Sequence, residues 1–259
     1  MQVHKTLQIA DNLNADILNW ASHEIKTPLV PILGLSELFY KAKKEGKDLN
    51  NLFDEADFQA LWRSAMRLED IVKNFLDGGL IQKHGLRITP VSTDISDLLK
   101  ESLNTVERYA SEKRIHVNLP TTSIRAEVDA SKLRQGLINL LSNAIKYPPP
   151  NSEVIVKLDK KFNNQIPGFE IQIIDHWYGF TPEELNHVFK PFVRVHTQQD
   201  EKKYLPGVGL GLYICKHIME LHGGQITLNS EGQGKGTTIH LWLPEKSPTI
   251  IVTNQTGPD

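Results

Sequence analysis

With one cysteine in 259 residues, Cys215, no internal disulfide can form, and nothing around it stands at metal-ligand spacing. Such sparing use of sulfur is expected of a reducing compartment. No run approaches the roughly 18 apolar residues that a membrane helix needs, and the opening MQVHKTLQIADN is too polar for a signal peptide. A cytoplasmic chain without membrane contact of its own is expected. Charge of one sign is not in excess either: the formal net charge is −2, so no global positive field draws nucleic acid. Internal repeats and low-complexity tracts are absent. Among ten histidines there is no HExxH, and His217 and His222 are wrongly spaced for a shared zinc, so no such site is expected.

What is present is ordinary globular material, 39% hydrophobic and 23% charged, in a chain long enough for two domains. From about His4 to Lys43 the residues support one long helix carrying Pro28 and Pro31. At about 100° per residue, Ala21, Ile25, Pro28, Ile32 and Phe39 share one side, while Asp16, Asn19, His23 and Thr27 fall near the other, which places His23 toward solvent. The segment KKEGKDLNN reads as a turn. Beyond it Phe58, Leu61, Ala65, Leu68, Val72, Phe75 and Gly79 recur at alternating steps of three and four, a heptad seam on a second helix. One hairpin offers little on which to bury both stripes, so a homodimer forming a four-helix bundle is expected; packing on the rest of the same chain is the alternative.

After Gly78-Gly79 strands and helices alternate. Strands are expected at Leu86 to Thr89, Ile115 to Leu119, Ile124 to Glu127, Glu153 to Leu158, Phe169 to Ile174, Gln225 to Asn229 and Thr237 to Leu243. Helices are expected near Ser96 to Ala110, Ser131 to Lys146, Pro182 to Phe189 and Gly209 to Leu221. The stretch 190–206 reads as a long loop. The fold class is thus multidomain: an all-α antiparallel hairpin over 1–84, an α+β sandwich of a mixed sheet with helices on one face over 85–245, and a frayed tail over 246–259.

Several segments carry chemistry. In SHEIKTPL an exposed His23 imidazole is a competent nitrogen nucleophile near neutral pH, and the Glu24 carboxylate can orient it and take its proton. A surface helix can also carry such a pair idly. In DASKLRQGLINLLSNAIKY, Asn139, Asn143 and Lys146 share one helical face, opposite Leu133, Leu137, Leu140 and Ala144. Amide oxygens suit Mg²⁺ and the lysine can meet phosphate charge; plain surface amides are the alternative. Gly207, Gly209 and Gly211 open an apolar helix, where backbone N–H groups can approach phosphate, although the spacing matches neither GxGxxG nor the P-loop. Asp175 ends an apolar strand and can accept a hydrogen bond from the exocyclic amine of adenine, or else cap the next turn. Arg194, in the long loop, could close on phosphates or remain solvated, and Thr237 could line the base pocket. Cys215 reads as core.

These segments, in this order, resemble the histidine kinase family of two-component signalling from about Asn19 to Pro244. SHEIKTPL resembles the H box, LRQGLINLLSNAIKY the N box, DHWYGF the G1 box, FKPFVRV the F box and GVGLGLYICKHIMELHGG the G2 box. The resemblance implies a dimerisation and phosphotransfer hairpin joined to a Bergerat-type (GHKL) ATP-binding domain, with ATP and Mg²⁺ as cofactors. By it, Asn143 holds Mg²⁺, Asn139 and Lys146 the phosphates, Asp175 the adenine amine and Tyr147 a pocket wall, while Gly179, Gly207, Gly209, Leu210, Gly211 and Leu212 complete the nucleotide-binding set. It also implies a water-positioning hydroxyl at Thr27 for dephosphorylation. Related ATPases carry a water-activating glutamate where Asn139 stands; an amide cannot be that base, which leaves the γ-phosphoryl for His23.

The pattern departs in two places. Trp177 stands where the family's DxGxG has its first glycine; if the turn needs positive φ a bulky residue there is strained and binds nucleotide weakly, and the indole can also intrude on the nucleotide or instead pack on the base. Val208 stands where a small polar residue is common. The expected function is autophosphorylation of His23 and transfer to an aspartate on a response regulator receiver domain, absent from this chain. A degenerate scaffold or regulator phosphatase is the second reading, and a gyrase-type ATPase the third. Nothing in the chain reads as a sensing module, so origin in a longer membrane sensor stays open.

Overall fold

Two compact units, divided between Gly79 and Leu80, make up the computed structural model. It describes residues 24–48, 52–84, 88–146, 148–191, 193 and 209–248.

In the first unit helix α1 is described over 24–44 and runs through Pro28 and Pro31; the expected start from His4, and His23 itself, lie outside the described residues. The chain turns at Gly46 (φ +68°), where the N–H of Lys47 donates to the Ala42 carbonyl at 3.0 Å; only glycine adopts that φ without cost. Helix α2, Glu55–His84, opens on a reciprocal cap, the Asp57 N–H donating to Asp54 Oδ1 (3.0 Å) and the Asp54 N–H to Asp57 Oδ2 (3.1 Å). Phe39 meets Phe53 edge-on at 4.1 Å between centroids and stacks on Phe58 at 5.6 Å, which closes this end of the hairpin. The expected seam is only half covered. Leu61 and Leu68 are partly buried and Ile71 fully so, whereas Phe58, Ala65 and Val72 face out; Phe75 and Gly79 fall outside the described side chains.

The second unit is a mixed sheet carrying helices on one face. Strands β1 (Val91–Asp94) and β3 (Arg125–Val128) form a small antiparallel pair. Strands β2 (His116–Asn118), β4 (Glu153–Lys160), β5 (Gly168–Asp175), β6 (Gln225–Asn229) and β7 (Thr237–Pro244) form a five-stranded sheet of order β2-β4-β5-β7-β6, with only β2-β4 parallel. Alternation divides its faces. Val156, Ile171, Ile173, Ile239 and Leu241 are buried on one side, where Ile173 pairs with Val156 and Ile239, and Glu170, Gln172 and His240 lie on the other. Three helices supply the matching apolar stripes: α3 (Ile95–Lys113), α4 (Ala130–Lys146) and α6 (Gly211–Leu221), whose Leu99, Leu137, Leu140, Leu141 and Ile218 are essentially inaccessible.

Helix ends match their sequences. Asp94 caps α3 through the N–H groups of Ser96 (3.0 Å) and Asp97 (3.3 Å), and Thr181 with Glu184 forms a capping box on α5, Pro182–Leu185. Three expectations are corrected. The strand at Leu86 to Thr89 is not formed where described: Ile88 to Pro90 are irregular and β1 begins at Val91, because Pro90 cannot donate to a ladder. The helix from Pro182 stops at Leu185 and continues to 189 as turn, with Val188 buried. The tail is not frayed at its start: Glu127 donates to the Glu245 carbonyl (2.8 Å) and accepts from the Ser247 N–H (3.0 Å), so 245–247 line up beside β3.

Candidate nucleotide site

Helices α4 and α6 meet through small residues. A Cβ placed on Gly136 would touch the Cys215 sulfur at 3.8 Å, and one on Gly211 would lie 3.8 Å from Asn143 Nδ2 and 3.9 Å from Asn139 Cβ. The first residue of α6 therefore opens onto the two amides that α4 presents on its polar face. Leu210, the N-cap, has no side chain able to bond the orphan N–H groups of that first turn, and Gly209 before it turns the chain at φ +73°. Uncapped N–H groups with the positive end of the helix dipole favour an anion. Asn139 Nδ2 is enclosed and makes no hydrogen bond of ordinary geometry, an unmet donor beside that helix end. Buried between the helices, the Cys215 thiol donates weakly to the Gly136 carbonyl (3.3 Å); burial pushes its pKa up to about 12, against a smaller opposing effect of Asn139.

The ends of both helices are anchored by polar groups. Asp129, just before α4, accepts from the N–H groups of Ser131 and Lys132 (both 3.1 Å) and of Thr89 (2.9 Å). Burial pushes the Asp129 carboxyl up, but these bonds outweigh it and hold it below the usual range. Fully buried His222, just past α6, has Nδ1 at 2.7 Å from the Ile218 carbonyl while Nε2 accepts the Asp129 N–H at 3.0 Å. A neutral ring protonated on Nδ1 satisfies both, and burial lowers its pKa accordingly. At the far end of α4, Lys113 donates to the carbonyls of Lys146 and Pro148.

Beside α4 runs β5, whose last residue is Asp175, directly opposite Thr237 at the start of β7. Burial raises the Asp175 pKa, opposed by the N–H groups of Trp177, 3.1 Å from Oδ1, and Thr237. A half-buried carboxylate with few donors is an acceptor awaiting one. The turn 176–180 is braced by the β6–β7 loop: the Gly236 N–H donates to the Trp177 carbonyl (2.9 Å), the Gly234 N–H to that of Tyr178, and the Phe180 N–H to Ser230 Oγ (2.9 Å). Gly179 has φ +70°, and a Cβ on it would collide with the Gly232 carbonyl. Trp177 is not among the described residues of positive φ, which outside glycine are Arg114, Asn151, Asn164 and Gln165. The strain expected at Trp177 is thus absent, and its side chain is 37% exposed.

Of the residues singled out by sequence, the fold gathers Asn139, Asn143, Gly209, Leu210 and Gly211 around one helix end, with Leu212 in its first turn, and Asp175, Gly179 and Thr237 around one strand end. Lys146 closes α4. Tyr147, Arg194 and Gly207 lie outside the described residues, as does His23. Glu24 and Thr27 stand on α1, and Glu24 is not an open carboxylate: it is buried and accepts from Arg67 of α2 at 2.9 Å. Sequence reading missed both Arg67 and Ser230. Neither has a motif signal, since each acts on a partner more than 40 residues away.

Residues 128–247 match the family described as histidine kinase-, DNA gyrase B- and HSP90-like ATPase. The solved structure of a mycobacterial sensor histidine kinase, MprB, is 30% identical with a TM-score of 0.50, and the match takes in 62% of this chain and all of that one. This chain belongs to the sensor histidine kinases. Among curated kinases, the autoinducer 2 sensor kinase/phosphatase LuxQ of Vibrio vulnificus (strain CMCP6) is 30% identical over 91% of this chain and 28% of its own length. A histidine kinase, ThkA, solved in complex with the response regulator protein TrrA, shares the fold with a TM-score of 0.66 at 22% identity, over 93% of this chain and 64% of that one. The chain spans about a third of the curated kinases it matches. The family and the fold of a kinase core are therefore both present. Among the described residues no helix is long and apolar enough to cross a membrane.

Proposed function

We propose that this kinase core binds ATP with Mg²⁺ in the second unit, phosphorylates His23 of the hairpin and passes the phosphoryl group to an aspartate of a response regulator receiver domain. The observation that carries the reading is the enclosed Asn139 side chain, whose Nδ2 makes no hydrogen bond of ordinary geometry, beside the N-terminus of α6, which has no side-chain cap, with Asn143 next to it and Gly211 leaving room. These residues fit a polyphosphate and its cation. Asn139 donates to phosphate oxygen, the amide oxygen of Asn143 suits Mg²⁺, Lys146 supplies positive charge, and the α6 backbone N–H groups meet an anion. Asp175 accepts the exocyclic amine of adenine, with Thr237 beside it, and the resemblance adds Tyr147, Arg194 and Gly207, which lie outside the described residues, to the nucleotide-binding set. Bound ATP supplies a transferable phosphoryl group whose charge Mg²⁺ neutralises. No carboxylate stands at 139 to activate water, which favours an imidazole acceptor over hydrolysis.

On the hairpin, Glu24, held against Arg67, orients the His23 ring, and Thr27 positions water when the regulator is dephosphorylated. The name of LuxQ, a kinase/phosphatase, supports carrying both activities. The hairpin 1–84 acts as phosphotransfer domain and 85–245 as catalytic domain, working as a cytoplasmic homodimer. Incubation with γ-labelled ATP and Mg²⁺ tests the reading: acid-labile, base-stable label is expected on the parent and none on His23→Gln, with nucleotide binding unchanged. Undiminished label on the variant overturns it. The degenerate-scaffold reading loses the support it drew from a strained φ at Trp177, whose φ is ordinary.

A further inference from the structure

Ser230, at the exit of β6, joins two segments that no regular element connects. Its hydroxyl accepts the Phe180 N–H (2.9 Å) and lies 3.3 Å from the Gly232 N–H, while it donates to the Gly236 carbonyl at 2.8 Å. One O–H donor and two lone pairs are thereby all engaged. Phe180 ends the turn that starts at Asp175, and Gly236 precedes Thr237, the residue paired with Asp175. Space is reserved for the hydroxyl: a Cβ on Gly179 would fall 2.6 Å from Ser230 Oγ, and one on Gly236 would run into the Asp175 carbonyl. The turn touches its brace at Trp177, Tyr178 and Phe180, and the Ser230 side chain ties turn and loop together through Phe180 and Gly236.

We propose that Ser230 is the positioning residue of the nucleotide-base subsite: by clamping the 176–180 turn to the 230–236 loop it aims the Asp175 carboxylate, and so sets discrimination between purines. This rests on the reading of Asp175 as acceptor for the adenine amine. The clamp also accounts for Trp177. Residue 177 contributes its N–H to Asp175 and its carbonyl to Gly236, backbone groups that any residue of ordinary φ supplies. Without the hydroxyl, Phe180 N–H and Gly236 carbonyl lose this partner, the turn gains freedom, and an acceptor that must meet one amine is no longer held in line.

The test is calorimetric titration of non-hydrolysable ATP and GTP analogues into the full chain as parent, Ser230→Ala, Ser230→Thr and Asp175→Asn, with melting temperatures measured alongside. Ser230→Ala is expected to lose about tenfold in ATP-analogue affinity and a similar factor in preference for adenine over guanine. Ser230→Thr, which keeps the hydroxyl, is expected to restore most of both. An unchanged purine preference in Ser230→Ala, even with lower affinity or melting temperature, shows a merely structural serine and overturns the proposal. If Asp175→Asn loses the preference while Ser230→Ala keeps it, only the Ser230 assignment fails; if Asp175→Asn binds both analogues like the parent, the adenine reading fails and takes this proposal with it. Should Ser230→Ala not fold, amide exchange in the parent decides: a Phe180 N–H that exchanges as fast as an open loop overturns the clamp, and a protected one, with purine preference kept in Ser230→Thr, supports it.

Discussion

At the scale of single residues, the energetic character of the site lies in groups held short of satisfaction. Asp175 pays for its position through burial, which raises its pKa. Between the ordinary value near 3.8 and the raised one the folded state binds more protons than the unfolded, so stability falls as pH rises through that window and stays lower at neutral pH. Asp175→Asn removes that penalty. It is expected to melt at pH 7 no lower than the parent while binding an ATP analogue about 10- to 100-fold more weakly, because an amide offers no charged acceptor. Thermal melts at pH 5 and 7, with titrations, check both halves. Trp177 leads to the opposite of the sequence-based expectation. Since its φ is ordinary, Trp177→Gly relieves no strain and adds chain freedom, so analogue affinity should stay equal or fall by a few-fold. Tighter binding by the glycine variant would mean that the indole intrudes on the nucleotide.

At the scale of elements, α4 and α6 present the proposed phosphate-binding groups only as well as their anchored ends allow. His222 joins the end of α6 to the residue that caps α4, so His222→Ala leaves the buried Asp129 N–H without its acceptor and opens a cavity. A loss of about 2 to 4 kcal/mol in unfolding free energy is expected from denaturant titration. Its pH dependence has a definite sign. The folded pKa of His222 is lowered, so its contribution is complete above the ordinary imidazole value of about 6.5 and is lost as pH falls toward the folded value. The variant should lack that acid limb. Asp129, also lowered, adds a separate loss below the carboxylate range. Of the two glycines at the α4–α6 contact, Gly211 carries a motif signal in the sequence and Gly136 none; a Cβ on either would meet the facing helix at ordinary contact distance, 3.8 Å.

At the scale of the whole molecule, the hairpin carries more apolar surface than one copy covers. Val30, Leu33, Phe58, Trp62 and Met66 are 40–67% exposed within this unit, and Phe58 belongs to the outward half of the heptad seam. A second hairpin is the simplest cover, in keeping with the proposed dimer. Light scattering at micromolar concentration is expected to find a dimer for the parent and a marked shift to monomer for Trp62→Glu, which places a charge on that surface. An unshifted variant would direct the dimer surface elsewhere.

The order of elements, the strand positions from β2 onward and the two polar–apolar helical faces were legible in the chain, because periods of 2 and 3.6 and the capping residues are local signals. So was the placement of Asn139 and Asn143 on one face of α4 and of Asp175 at the end of β5, each at a step of period or at the end of an apolar run. What the chain alone did not decide is set by distance in sequence. Ser230 reaches Phe180 across 50 residues, Arg67 reaches Glu24 across 43, and His222 reaches Asp129 across 93. None of these leaves a local pattern. The ordinary φ at Trp177 belongs with them: a turn braced from another strand takes its shape from that brace, so the tertiary structure, and not the missing glycine, decides whether a tryptophan is tolerated there.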